Sequence, residues 1–334
     1  MKLSIVMTVY QAESYIRERL SQLLSHDLSG VQLVVVISET GLDKSAQICK
    51  ELLQNNKDAI VITQADEGLS IARNTGLKAT TGDYVYFMDS DDVLLEDGFA
   101  KLKEKLKETQ VDVHVGKFVL FQSKGVDVWP DYSFPDITGA EEARQVIYEK
   151  LPDSVWNVWR YVCRREFLLK HDLFFAPRLI CEDVDWTPRM LDSAETITFI
   201  DTPMYGYFYN HSMQLSKRVS PEKTLDINLT ALNGVTKFKD RPYGKALCGR
   251  LIRESLYSIS DYCRFSIADR KALRSVINAC EKYYHLSPTG ETSLYLKTRK
   301  LVPLYWWSVA LLTAKTLRGL MKRWLGANKA WRTQ

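Results

Sequence analysis

Asp89, Ser90, Asp91 and Asp92 follow directly on the apolar run Tyr84–Met88, so a strand-like segment delivers three carboxylates within four residues. Carboxylates this close repel and raise one another's pKa unless a cation intervenes. A hard divalent cation with oxygen ligands, Mg²⁺ or Mn²⁺, is the natural partner, and it usually bridges to phosphate oxygens as well. The competing use is local: Asp91 or Asp92 caps a helix starting near Leu94. One residue can do both.

Such a cluster needs a scaffold, and the first hundred residues supply one. Leu3–Val9, Val31–Ser38, Ala59–Thr63 and Tyr84–Met88 read as strands. Ala12–Ser25, Ser45–Asn55 and Leu69–Thr80 read as helices between them. The second strand is apolar nearly throughout, as expected when helices cover both sheet faces. Strand–helix alternation with short connections predicts an α/β layer built on a parallel sheet. Ligands in such sheets sit beyond the carboxyl ends of the strands, where Asp89 and Asp91 lie. Further on, Val111–Phe121 reads as strand, Gly139–Leu151 as helix, and the chain is mostly helical from about Pro221. Phe121–Thr138, with Pro130 and Pro135, reads as a long acceptor-side loop.

Bulk properties agree with a soluble globular chain of one large or two ordinary domains: 334 residues, 46% hydrophobic and 26% charged. None of the six cysteines forms a C-x-x-C pair or a metal-ligand spacing, so buried thiols are expected. No export signal is recognisable at the start, which predicts a cytoplasmic setting. The net charge of +4 is unevenly placed: nine Lys/Arg and no Asp/Glu follow Thr292, leaving 36 basic against 41 acidic residues elsewhere. Within that tail, Lys315, Arg318 and Lys322 share one helical stripe, and Leu317, Leu320, Met321 and Trp324 the other. This suits a helix lying in an anionic membrane interface, peripheral on the inner face of the cell membrane. The alternative is a helix packed on the rest of the chain or at the seam of a homo-oligomer. No recognition module accompanies the charge, so nucleic acid is not an expected partner.

Three segments, "SIVMTVYQAESYIRERLSQLL", "GLSIARNTGLKATTGDYVYFMDSDD" and "LICEDVDW", resemble the family-2 glycosyltransferases of GT-A fold. The A-R-N-x-G to D-S-D-D spacing is the specific part. The resemblance covers roughly residues 1–220. It implies a GT-A (Rossmann-like) mixed sheet flanked by helices as the catalytic domain, with 221–334 a helical C-terminal region ending in the basic tail. It also implies an inverting, metal-dependent transfer of a sugar from a nucleotide-sugar, UDP-linked, to a glycan or lipid-linked acceptor in bacterial surface polysaccharide synthesis.

Residue by residue, the resemblance makes Asp89 and Asp91 the DXD motif, holding ribose and, through Mn²⁺ or Mg²⁺, the diphosphate. Asp91 is then the direct metal ligand, with Ser90 between the two. Arg73 and Asn74 match A-R-N, and Arg73 either contacts the donor or pairs with the Asp cluster. Thr8, Val9 and Tyr10 match the strand end that lines the nucleobase pocket, where Tyr10 stacks on the base or simply packs. Glu182 and Asp183 match E-D, which makes Asp183 the base that takes the acceptor hydroxyl's proton. Asp185 competes for that role or meets the acceptor. Trp156 and Trp159 floor the acceptor sugar or belong to the core. His211, Lys217 and Arg218 match a segment that reaches the diphosphate. The departures cluster on the donor side: Ser38-Glu39 stands where D-D is usual, and Asp66 where an amide is usual. They motivate a second reading, a catalytically silent nucleotide-sugar-binding scaffold in a synthase complex. A nucleotidyltransferase would need a Gly-rich phosphate loop after the first strand, which "TVYQAES" lacks.

Overall fold

The parallel half of the sheet forms where the β-branched runs are. Strands β1 (Leu3–Val9), β2 (Val31–Glu39), β3 (Ala59–Ala65) and β4 (Tyr84–Asp89) lie side by side in the order β3-β2-β1-β4, all parallel. Helices α1 (Ile16–Leu24), α2 (Ser45–Leu53) and α3 (Leu69–Ala79) make the crossovers. Residues Val31–Ser38 of β2 are all buried, because helices cover both of its faces. This computed structural model describes residues 2–39, 43–122, 125–130, 133–137, 139–151, 153–208, 219–286, 304 and 308.

Beyond β4 the sheet becomes mixed. β8 (Tyr161–Arg164) runs antiparallel to both β4 and β6 (Val113–Gln122). β9 (Ile197–Phe208) is parallel to β6, and the two-residue β5 (Val93–Leu94) closes the order antiparallel to β9. β7 (Gly125–Trp129) pairs with β6 off the main path. Helices α4 (Glu96–Glu108), α5 (Ala140–Lys150), α6 (Arg165–Lys170) and α7 (Glu182–Ser193) complete this unit, Met1–Gln214. The second unit, Leu215–Gln334, holds α8 (Pro221–Phe238), α9 (Gly244–Ser258) and α10 (Ile267–Glu281) among its described residues. Ser220 and Ser266 cap α8 and α10 by accepting from Lys223 N and Asp269 N, each at 3.2 Å.

Two expectations need correction. The helix after the aspartates begins at Glu96, and its N-cap, Leu95, makes no side-chain cap bond. Neither Asp91 nor Asp92 caps it, because Val93 and Leu94 are drawn into the sheet by β9. The stretch Phe121–Thr138 is not loop throughout, since β7 lies within it. Its residues are all exposed, so it lacks the buried face by which a strand shows itself in sequence. The basic tail, apart from Leu304 and Ser308, lies outside the described residues.

Candidate active site

Strand order reverses at β1, and open α/β sheets bind ligands beyond the carboxyl ends of the strands at such a point. Thr8 is the register partner of Asp89, so the ends of β1 and β4 lie side by side. Thr8 is half-buried, Val9 is buried, and Tyr10 is 42% exposed. Glu39 is exposed at the end of β2. Asp66 is exposed, with Oδ1 accepting from Gly68 N at 3.1 Å.

Arg73 is the centre of the site. It projects from α3, is 4% exposed, and donates from Nη2 to Asp89 Oδ1 at 2.8 Å. Its Nη1 donates to Glu182 Oε1. The guanidinium carbon lies 5.4 Å from the Phe175 ring centroid. Burial alone would lower the Arg73 pKa, but Asp89, Glu182 and Asp183 outweigh it and raise the value above the ordinary range. One fixed cation therefore ties the aspartate turn to the E-D helix start, and Arg73 itself lies 109 residues from Glu182 in sequence. Arg73 thus makes the ion pair foreseen for it with the Asp cluster.

Glu182, Asp183 and Asp185 sit in the first turn of α7, where the helix dipole favours negative charge. Cys181 turns the chain into that helix in a left-handed conformation, φ 64°. Glu182 is buried against Arg73, which makes it a brace. Asp183 is half-buried beside it, with Oδ1 accepting from Val184 N at 3.0 Å. Asp185 instead accepts from Arg189 Nε and Nη2 at 2.9 and 2.8 Å, so its carboxylate is engaged within its own helix.

Several residues foreseen in ligand contact are otherwise engaged. Asn74 holds the backbone of Phe175 with both ends of its amide, Nδ2 to O and Oδ1 from N, each at 2.8 Å. Ser90 is 6% exposed and bonds the Tyr15 phenol, whose pKa is raised by burial and then by Asp91. Trp156 and Trp159 are 5% and 3% exposed, so neither ring is presented as a sugar floor. Trp159 stacks on Tyr205 with centroids 4.5 Å apart, inside the core. His211, Lys217 and Arg218 lie outside the described residues.

The sequence reading missed what holds the aspartate turn. Asp92 is fully buried, and its Oδ2 accepts from Tyr205 Oη at 2.7 Å while Oδ1 accepts from Phe208 N at 2.9 Å. Burial, then Asp91 and Asp89, push the Asp92 carboxyl well up. Tyr205 Oη also accepts from Asp89 N at 3.2 Å. No spacing rule connects β4 to the Tyr-rich end of β9, so only the fold reveals these partners.

The donor set fits a hard cation. Asp89 is partly exposed, with its side chain 31% accessible, and Asp91 is half-buried. Among the described residues no three His, Cys, Asp or Glu side chains converge on one point. Two partly accessible carboxylates are a donor set that Mg²⁺-type ions can use, since they take one or two protein carboxylates and complete their shell from phosphate oxygens and water.

A parallel half-sheet that continues into a mixed one, with helices on its flanks, has the architecture of the GT-A glycosyltransferases. The chain belongs to glycosyl transferase family 2, whose profile matches residues 4–173. EpsJ of Bacillus subtilis, named an uncharacterized glycosyltransferase, is 31% identical over 210 residues, 62% of this chain and 61% of EpsJ. TarS of Staphylococcus aureus, a poly(ribitol-phosphate) beta-N-acetylglucosaminyltransferase, is 27% identical over 242 residues, 68% of this chain and 39% of TarS. The chain thus aligns with less than two thirds of either relative. In structure, TarS 1–349 in complex with UDP-GlcNAc superposes with a TM-score of 0.67 at 22% identity, covering 93% of this chain and 88% of that one. A mannosyltransferase from Pyrobaculum calidifontis, in complex with GDP-Man and Mn²⁺, superposes at 0.54 and 15% identity, covering 96% and 87%.

Proposed function

We propose that this glycosyltransferase moves a sugar from a UDP-sugar to a glycan or lipid-linked acceptor in bacterial surface polysaccharide synthesis, with inversion at the anomeric carbon. The observation that carries the reading is the Arg73 bridge, which sets Asp89 and the Glu182–Asp183 pair around one cation. The TarS complex with UDP-GlcNAc favours a UDP-linked donor, and an N-acetylhexosamine is the sugar we propose. Asp91, with Asp89, would hold Mn²⁺ or Mg²⁺; when bound, that ion would offset the charge on the departing diphosphate. Arg73 keeps Glu182 and Asp89 in place without being consumed as a proton donor, because its charge is locked. Asp183 takes the proton from the acceptor hydroxyl as that oxygen attacks. It stands in the first turn of α7, beside Glu182.

Calorimetric titration of the full chain with UDP, with and without Mn²⁺, tests this. Metal-dependent binding should appear and be lost in Asp91→Ala. Asp183→Asn should keep that binding and lose turnover by roughly 10²–10⁴-fold, the usual worth of a general base. Retained turnover would remove Asp183 from the role. The second reading, a silent scaffold, rests on Ser38, which is buried, and Glu39 at the end of β2. Nucleotide binding with no turnover across donors and acceptors would favour it. We also place the protein at the cytoplasmic membrane face, on the charge of its tail. No helix among the described residues is long and apolar enough to cross a membrane.

A further inference from the structure

The aspartate turn is weakly held by its own backbone. Its internal bond, Asp92 N to Asp89 O, is long at 3.4 Å. Outside contacts must therefore set its shape. Three of them have been described: Tyr205 to Asp89 and to Asp92, and Phe208 to Asp92. A fourth comes from α1. Arg19 Nε donates to the Asp91 carbonyl at 3.1 Å, and the Arg19 guanidinium carbon lies 4.2 Å from the Phe208 ring centroid. The loop of contacts is then closed: Asp89, Tyr205, Asp92, Phe208, Arg19, Asp91. One helical turn on, Gln22 Nε2 donates to Leu94 O at 2.8 Å, so one face of α1 holds a carbonyl of the turn and one of β5 directly after it.

We propose that Arg19 is a positioning residue for the metal–diphosphate end of the donor site, acting through the Asp91 main chain and the Phe208 ring. The proposal rests on the donor reading above. Its physical basis is the peptide plane. The bond to the Asp91 carbonyl fixes the plane of the Asp91–Asp92 peptide, which limits the directions in which the Asp91 side chain can leave the backbone. Arginine suits the task because its planar fork can donate at Nε while its face lies over a ring. The Arg19 side chain is only 12% accessible, so the contact over Phe208 is shielded from bulk water. Its other partner, Glu18, is an exposed sequence neighbour at 2.8 Å and is expected to contribute little.

The test is calorimetry of the full chain with UDP, in saturating Mn²⁺ and in its absence. Arg19→Gln keeps an N–H donor and removes the cation; Phe208→Leu keeps bulk and removes the ring face. Each should weaken Mn²⁺-dependent UDP binding by about ten- to a hundredfold and leave metal-free UDP binding unchanged. The double variant should bind no worse than the weaker single, since both break one coupling. Glu18→Gln should bind like the parent protein. Should Arg19→Gln melt early, Arg19→Lys carries the same comparison, because it keeps the charge and loses the fork. Unchanged binding in Arg19→Gln would overturn the proposal. So would equal losses with and without Mn²⁺, which would mark Arg19 as merely structural. If the parent protein binds no nucleotide at all, the donor reading fails and takes the proposal with it, a result distinct from either.

Discussion

His114 is fully buried in β6, with its ring 5.3 Å from that of Tyr84. Burial, then the nearby charge of Lys105, depress its pKa from 6.5 to about 4. Above pH 6.5 the ring is neutral in folded and unfolded chains alike, and it contributes nothing. Below that, the unfolded chain binds a proton that the fold refuses, so stability falls as pH drops from 6.5 towards 4 and levels off beneath. The loss at pH 5 is about 2 kcal/mol. Urea unfolding of the parent protein and of His114→Gln, at pH 7.5 and pH 5, should show the gap between them shrinking by that amount; a constant gap would refute it. Residue chemistry of this kind was only partly legible in the sequence. Asp89, Arg73, Glu182 and Asp183 stand in short linear motifs, so their types and neighbours announce them. The thiols were also legible: burial pushes Cys49 up to about 12 and Cys248 and Cys280 up to about 11. The depression of His114 was not, because it depends on what covers the ring. Nor was the occupation of Asn74 by Phe175, which lies 101 residues away.

At the scale of elements, α4 and β9 approach so closely at one point that only glycine fits. A Cβ on Gly98 would overlap the Pro203 carbonyl oxygen. Helix propensity alone would make alanine there more stable by roughly 0.5–1 kcal/mol. Overpacking against backbone costs about 1–3 kcal/mol, so the clash should win. Gly98→Ala is expected to lower the urea midpoint, and also to weaken donor binding, because β9 carries Tyr205 and Phe208. A midpoint unchanged or raised would show that the strand yields freely. The parallel strands and their crossover helices were readable because β-branched runs and helical periodicity alternate cleanly up to Met88. The start of α4 was misplaced because two residues, Val93 and Leu94, follow their pairing with β9 rather than local propensity. The expected helix Ala12–Ser25 shortens to Ile16–Leu24 for a related reason: Ala12 N is held by Ser45 Oγ at 2.8 Å, in the turn before α1.

Across the whole molecule the charges are divided, with a net surplus of five acidic residues before Thr292 and nine uncompensated basic ones after it. Each basic residue close to an anionic surface contributes roughly 1 kcal/mol. Vesicle co-sedimentation of the full chain should therefore show binding that depends on anionic lipid and fades with salt. Equal binding to neutral vesicles would leave no electrostatic part. The fold also orders events in time. The three aspartates leave the ribosome long before their frame does: Asp92 precedes Tyr205 by 113 residues and Phe208 by 116. At roughly 5–20 residues per second, that delay is on the order of 6–20 seconds. During it the nascent chain carries every carboxylate of the aspartate turn, and Arg19, but neither Tyr205 nor Phe208. The frame of the aspartate turn is thus completed only once β9 has been made.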